Sequence, residues 1–134
     1  MKSSEMKKLV CRHYEEVLTG KNVQLIDELY AEQIRNGDGE VIPREQFKAM
    51  AQMSITAFPD LVVAVKDQIA EGDKVVTRWI AVGTQNGQFI NLAPTGRKVI
   101  IKAIHIHQIK EGRIAVLWEE IDMLGLFQQL GAGK

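Results

Sequence analysis

The spacing of apolar positions changes once, near residue 60, and divides the chain into a helical first part and a stranded second part. Met6, Leu9, Val10, His13 and Val17 recur at steps of three and four, which predicts a helix over residues 4–19 with one stripe facing a core. Thr19-Gly20 ends it. Asn22 is placed to cap a short second helix with Leu25, Ile26, Leu29 and Tyr30 inward, and the Asn36-Gly37-Asp38-Gly39 cluster predicts the turn that follows. Pro43 fits the first turn of a third helix, whose inner face is Phe47, Met50, Ala51 and Ser54 and which must stop near Phe58-Pro59.

Beyond Asp60 β-branched residues dominate and the period shortens towards two. Residues 61–69 and 74–84 flank Glu71-Gly72-Asp73, and residues 98–109 and 113–122 flank Glu111-Gly112, so each pair reads as a hairpin. Between the hairpins, residues 86–96 hold Gly87, Pro94 and Gly96 and predict a short strand plus a turn. Three helices followed by a mostly antiparallel meander predict an α+β domain in which a curved sheet wraps round the helices. With 134 residues, 46% apolar and 25% charged, the chain has the size and composition of one such domain over residues 1–134.

The second hairpin concentrates the residues that carry chemistry. If Glu111-Gly112 is a two-residue turn, paired positions sum to 223, and His105 lies opposite Trp118 and His107 opposite Val116. One face then carries His105 and His107 with Trp118, Glu120 and Asp122 among aliphatic residues. That is a wall suited to a small-molecule cavity, with apolar area for affinity and a few polar groups for orientation and proton transfer. The opposite face carries Ile104, Ile106, Leu117 and Ile121, an aliphatic patch that predicts a homodimer interface.

The ordered set Phe58-Pro59-Asp60-Leu61, Glu71-Gly72-Asp73-Lys74-Val75-Val76, Arg78-Trp79, Gly83-Thr84, Pro94-Thr95-Gly96 and Gly112-Arg113-Ile114 resembles the SnoaL-like polyketide cyclase family. Its ending, Trp118-Glu119-Glu120-Ile121-Asp122 with Leu124-Gly125-Leu126 and Gln129-Leu130-Gly131, is similar too. The resemblance implies the nuclear transport factor 2-like fold, a cone-shaped α+β barrel with one deep pocket. It also implies a cofactor-free intramolecular aldol ring closure of an aromatic polyketide ester, or a related proton transfer on a small hydrophobic carbonyl compound. By the Trp-x-x-x-Asp stretch it assigns the general acid/base role to Asp122, and the hairpin register offers His105 to orient it or to polarise an oxygen. Tyr14 and Asn36 stand where such proteins line their pockets, and Trp118, Glu120 and His107 complete the expected substrate-binding set. Many members carry His where this chain has Gln85, and Arg where it has Gln108.

Charge and cysteine content narrow the alternatives. Seventeen Lys plus Arg balance seventeen Asp plus Glu, so no global field gathers nucleic acid or an anionic membrane, and neither partner is expected. The single cysteine, Cys11, excludes an intrachain disulfide and suits a reducing cytoplasm. No apolar run is long enough to span a bilayer, and the charged start MKSSEMKKLV predicts no secretory signal. His105-x-His107 with Glu111 has the spacing of part of a cupin-type metal motif, but Glu111 falls in the tight turn, so no metal and no cofactor is expected. A non-catalytic ligand-binding or dimerisation module of the same fold is the other reading of these features.

Overall fold

The computed structural model describes residues 1–131. Helix α1, Ser3–Arg12, passes without a break into a π-wound segment, His13–Thr19. A 3-10 turn, Val23–Leu25, leads into α2, Ile26–Leu29. Strands β1, Tyr30–Asn36, and β2, Val41–Pro43, come next, followed by α3, Arg44–Ala57. The two long hairpins are β3, Val62–Glu71, with β4, Lys74–Thr84, and β5, Lys98–Lys110, with β6, Arg113–Ile121. Helix α4, Met123–Gln129, closes the described chain.

The strands form one curved, unclosed sheet in the order β2-β1-β6-β5-β4-β3, antiparallel throughout except where β1 runs parallel to β6. The helices cover its concave face. Strand periodicity shows directly in burial along β4 and β5: Val75, Thr77, Trp79 and Ala81, then Val99, Ile101, Ala103, His105, His107 and Ile109 point inward. Met6, Val10 and Val17 of the first helix meet them, as its three- and four-residue spacing requires, with Phe47 and Ala51 of α3 alongside. The mixed α+β architecture is therefore the one expected from the change of period.

Four details differ from the expectation. Tyr30 starts a strand instead of ending a helix, because α2 is only one turn long and the chain straightens to pair with both β2 and β6. Residues 86–96 form no strand beyond a bridge between Phe89 and Leu92. Their loop is instead tied down by the buried Gln85, whose amide donates to the Leu92 and Ala93 carbonyls at 3.2 and 3.1 Å and accepts from the Thr95 hydroxyl at 2.7 Å. A fourth helix, α4, follows the last strand, with Asp122 as its N-cap. Met50, assigned to the core side of α3, remains 42% exposed at the rim of the concave face.

Several of the short sequence signals turn out to be joints. Asp60 accepts from the Thr84 backbone N–H at 2.6 Å and from its hydroxyl at 2.7 Å, which clips the loop after α3 to the end of β4 and holds the Asp60 carboxyl below its usual range. Gln108 donates to Asp73 at 2.9 Å and joins the two hairpin turns. Glu111 and Gly112 both adopt positive φ, 52° and 77°, the mirror-image turn whose twist suits a two-residue hairpin. Among the described residues no helix is long and apolar enough to cross a membrane.

Candidate functional site

The site depends on one extra residue. Lys110 pairs with Arg113 and Ile109 with Ile114, as a two-residue turn dictates, but the next pair is Gln108 with Val116, so Ala115 is bulged out of β6. Every later pair then sums to 224 instead of 223. His105 faces Glu119, His107 faces Leu117 and Ala103 faces Ile121. Because side chains alternate along a strand, a one-residue slip exchanges the two faces of everything beyond it.

Trp118, Glu120 and Asp122 consequently leave the inner wall on which the sequence register had placed them, and Glu119, which that register put outside, replaces them. Asp122 is exposed at the helix start, where its carboxylate accepts from the Gly125 N–H at 2.9 Å. That capping bond commits Asp122 to α4, on the side of an outer groove that it shares with Arg78, Lys102 and Glu120. Leu117 and Ile121 also change sides: Leu117 is buried and both line the interior.

The interior space between the concave sheet and the helices forms two adjoining lobes. The first, about 140 Å³, is lined by His13, Tyr30, His105, His107, Leu117 and Glu119 together with residues of α3. The second, about 110 Å³, is almost wholly apolar, with Phe58, Leu61, Val63, Phe89, Ile101 and Leu126 among its walls. Leu18, Ser54, Trp79 and Ile121 border both lobes. An outer recess of about 430 Å³ opens beside the first lobe, and Met50, Leu117 and Glu119 border them both. Asn36, Trp118 and Glu120 line this recess, so the candidates fall into two groups, an inner one and one at the mouth. Asn36 is held there by its turn, its side-chain oxygen accepting from the Asp38 and Glu40 N–H groups at 3.0 Å each. Trp118 packs on Gly37 and has the Lys74 ammonium 5.7 Å from its ring centroid.

At the centre of the inner group is His105. The Tyr14 hydroxyl lies 2.9 Å from His105 Nδ1, and Glu119 Oε2 lies 4.0 Å from Nε2. With Tyr14 donating to Nδ1, the ring hydrogen sits on Nε2, facing the carboxylate. Tyr14 stands behind His105, outside the cavity lining, and acts on a ligand only through that ring. The π-wound segment carries both Tyr14 and its neighbour His13, and both are buried against the sheet.

Desolvation sets the protonation states. It lowers His13 to about 3 and His105 to about 4, and pushes His107 well below the usual imidazole range, so all three are neutral at pH 7. The same cause raises Tyr14, which keeps its proton, and raises the Glu119 carboxyl above its ordinary value. Glu119 is nonetheless 37% exposed at the junction of recess and cavity, where it can exchange protons. Its signal was present in the Trp118-Glu119-Glu120 run, but the choice between adjacent carboxylates depended on the bulge. The cupin-like set does not assemble, because Glu111 is in the exposed turn while His105 and His107 are on the inner wall. Among the described residues no three His, Cys, Asp or Glu side chains are grouped so as to hold a metal ion.

Comparison with known proteins agrees with this architecture. The sequence profile described as SnoaL-like polyketide cyclase matches residues 8–130. TsrD from Streptomyces laurentii superposes with a TM-score of 0.90 at 27% identity, over 99% of each chain. A structure from Bacillus cereus, named there as a candidate polyketide cyclase, superposes at 0.79 with 30% identity over 96% of this chain and 82% of its own. A SnoaL-like polyketide cyclase from Agrobacterium tumefaciens, 15% identical, shares the fold at a TM-score of 0.81 over 98% and 100% of the two chains. No protein of curated function matches the sequence.

Proposed function

The chain belongs to the SnoaL-like polyketide cyclase family, and from that premise we propose that it catalyses cofactor-independent proton transfer on a small hydrophobic carbonyl compound, as in an intramolecular aldol ring closure, with Glu119 as the acid/base. One observation carries this reading: Glu119 Oε2 and His105 Nε2 stand 4.0 Å apart on the cavity wall, too far to satisfy each other and close enough to serve one substrate. The partly desolvated carboxylate, made more basic by burial, removes a proton from the carbon next to the carbonyl. The neutral His105 donates Nε2–H to the enolate oxygen, and Tyr14 holds the ring in the tautomer that can do so. The enolate carbon then attacks the acceptor carbonyl carbon, and protonated Glu119 returns its proton to the oxygen that becomes a hydroxyl. Atoms balance without a leaving group, because the product is an isomer of the substrate.

The test is hydrogen–deuterium exchange at the α-carbon of small aryl ketones in D₂O, followed by NMR. Glu119→Gln is expected to slow exchange about a hundred- to ten-thousand-fold, whereas Asp122→Asn retains it. Exchange that survives Glu119→Gln and disappears in Asp122→Asn would return the role to the helix cap. Ketone binding without exchange would make the protein a receptor for such compounds. The free thiol of Cys11 fits action in a reducing cytoplasm.

Self-association belongs to the same reading, through the outer face of the sheet. Its aliphatic side chains are Val62, Val82 and Ile100 in one cross-strand row and Ile69, Val76 and Ile106 in another, with Ile104 46% exposed between them. Asp67, Arg78, Lys102 and Glu120 intersperse both charges over this face, so a second copy turned by a twofold axis finds its own complement.

A further inference from the structure

Beyond the acid/base pair, the first lobe contains polar atoms that the described chain does not satisfy. His13 Nδ1, the Tyr30 hydroxyl and both nitrogens of His107 are buried without hydrogen-bond partners, on residues at most 6% exposed. The three come from different elements, the π-wound segment, the start of β1 and the middle of β5, yet their rings pack together. His13 lies 5.5 Å from Tyr30 and 6.4 Å from His107 between ring centroids. Leaving one such group unpaired costs about 1–3 kcal/mol, so three that border one lobe, with His13 beside each of the other two, call for an occupant. The proposed proton transfer uses none of them.

The same burial that isolates these groups keeps them uncharged. His13 is held down near 3 and His107 well below its ordinary range, while Tyr30 is raised far above the usual phenol. They therefore offer donors and acceptors but no countercharge, and an ionised carboxylate or ammonium placed among them would lose its water without compensation. A neutral oxygen meets no such penalty. The lobe's 140 Å³ has the dimensions of a single-ring compartment, with the apolar lobe of about 110 Å³ adjoining it.

We propose that His13, Tyr30 and His107 form a subsite for a second, uncharged oxygen of the substrate, a phenolic or enolic hydroxyl or a ketone, so that the ligand is a one- or two-ring compound with two neutral oxygen functions. The first oxygen sits at His105 and Glu119, and that part rests on the proposed reaction; the second subsite rests on the unpaired atoms alone. The pair of subsites fixes which end of a nearly symmetric ring meets the base. Substrates with an acid group in place of the second oxygen are rejected.

The experiment compares acetophenone, 3-hydroxyacetophenone and 3-acetylbenzoate by calorimetric titration, with imidazole ¹⁵N NMR of histidine-labelled protein alongside. The hydroxyl should tighten binding about three- to tenfold over acetophenone, the increment of one net hydrogen bond, and the carboxylate should bind more weakly than either. The hydroxylated probe should shift His107 nitrogen resonances more than acetophenone does. Tyr30→Phe keeps the ring packed 4.6 Å from Phe47, and it should shrink the hydroxyl preference to under about twofold. Equal binding of the two ketones overturns the subsite, as does a preference that survives Tyr30→Phe without movement of His107. Absence of binding by all three probes overturns it as well. Parallel α-proton exchange separates the two ideas: preference without exchange keeps the subsite and removes the catalysis, and exchange without preference does the reverse.

Discussion

Acid should weaken this fold steeply, and well above the range where its carboxylates protonate. His13, His105 and His107 are buried and neutral, with His13 near 3 and His105 near 4, whereas in the unfolded chain each titrates near its ordinary value of about 6.5. Below about 6.5 the unfolded state therefore binds protons that the folded state refuses, so their contribution to stability is complete above that pH and is lost as pH falls. Between about pH 7.5 and 5 the linkage amounts to about 2 kcal/mol for each ring, or about 6 kcal/mol for the three. A domain of this size has about 5–15 kcal/mol in total. Glu119 works in the other direction, because its raised pKa lets the folded state take up a proton first on acidification; its partial exposure keeps that offset small. Urea unfolding at the two pH values measures the loss, with an unchanged denaturant slope showing that the compactness of the end states is the same. His107→Leu should remove about a third of the pH dependence. A loss below about 2 kcal/mol for the native sequence, or a His107→Leu variant with the full dependence, would mean that water reaches these rings.

Three further outcomes test separate parts of the structure. Asp122→Ala should cost about 1 kcal/mol of stability through the lost cap of α4, read by urea unfolding, while leaving α-proton exchange intact. Gln85→Ala should cost about 1–2 kcal/mol, because it unties the Leu92 and Ala93 carbonyls and the Thr95 N–H together; amide exchange should rise at Leu92, Ala93 and Thr95, and an unchanged exchange pattern would refute the stapling role. Sedimentation at micromolar concentration should find a dimer that Ile104→Glu converts to monomer, and a native sequence that sediments as monomer would rule out the outer-face interface.

Most of the fold was legible because burial writes a period into a sequence. The spacing of Met6, Val10 and Val17 and the alternation from Val99 to Ile109 each have one structural reading, and the Glu111-Gly112 turn adopts the geometry expected of it. Tyr30 was misread because an inward residue at a helix end and one at a strand start follow the same rule, and only pairing with Ile114 and the strands beyond decides between them. The site was half legible. His105 and His107 lie before the bulge on an unbroken ladder with β4, so their face could be inferred; Trp118, Glu120 and Asp122 lie after it, and nothing in Ile114-Ala115-Val116 marks which residue lacks a partner. The Trp-x-x-x-Asp stretch runs through the strand end that carries Glu119, but its aspartate caps the last helix.

The bulge at Ala115 also separates two ways of counting along β6. Were Ala115 taken into the ladder, every residue beyond it would slip by one, and Trp118 and Glu120 would face the cavity in place of Leu117 and Glu119. Deleting Ala115 does the opposite: Val116 then follows Ile114 directly and keeps Gln108 as its partner, so Glu119 stays opposite His105 and the wall is unchanged. The loop of extra backbone is therefore dispensable to the order of side chains on the wall, while the distance of each from the last turn depends on it. What the strand conserves is the neighbour across the ladder, and what it leaves free is the count of residues that leads there.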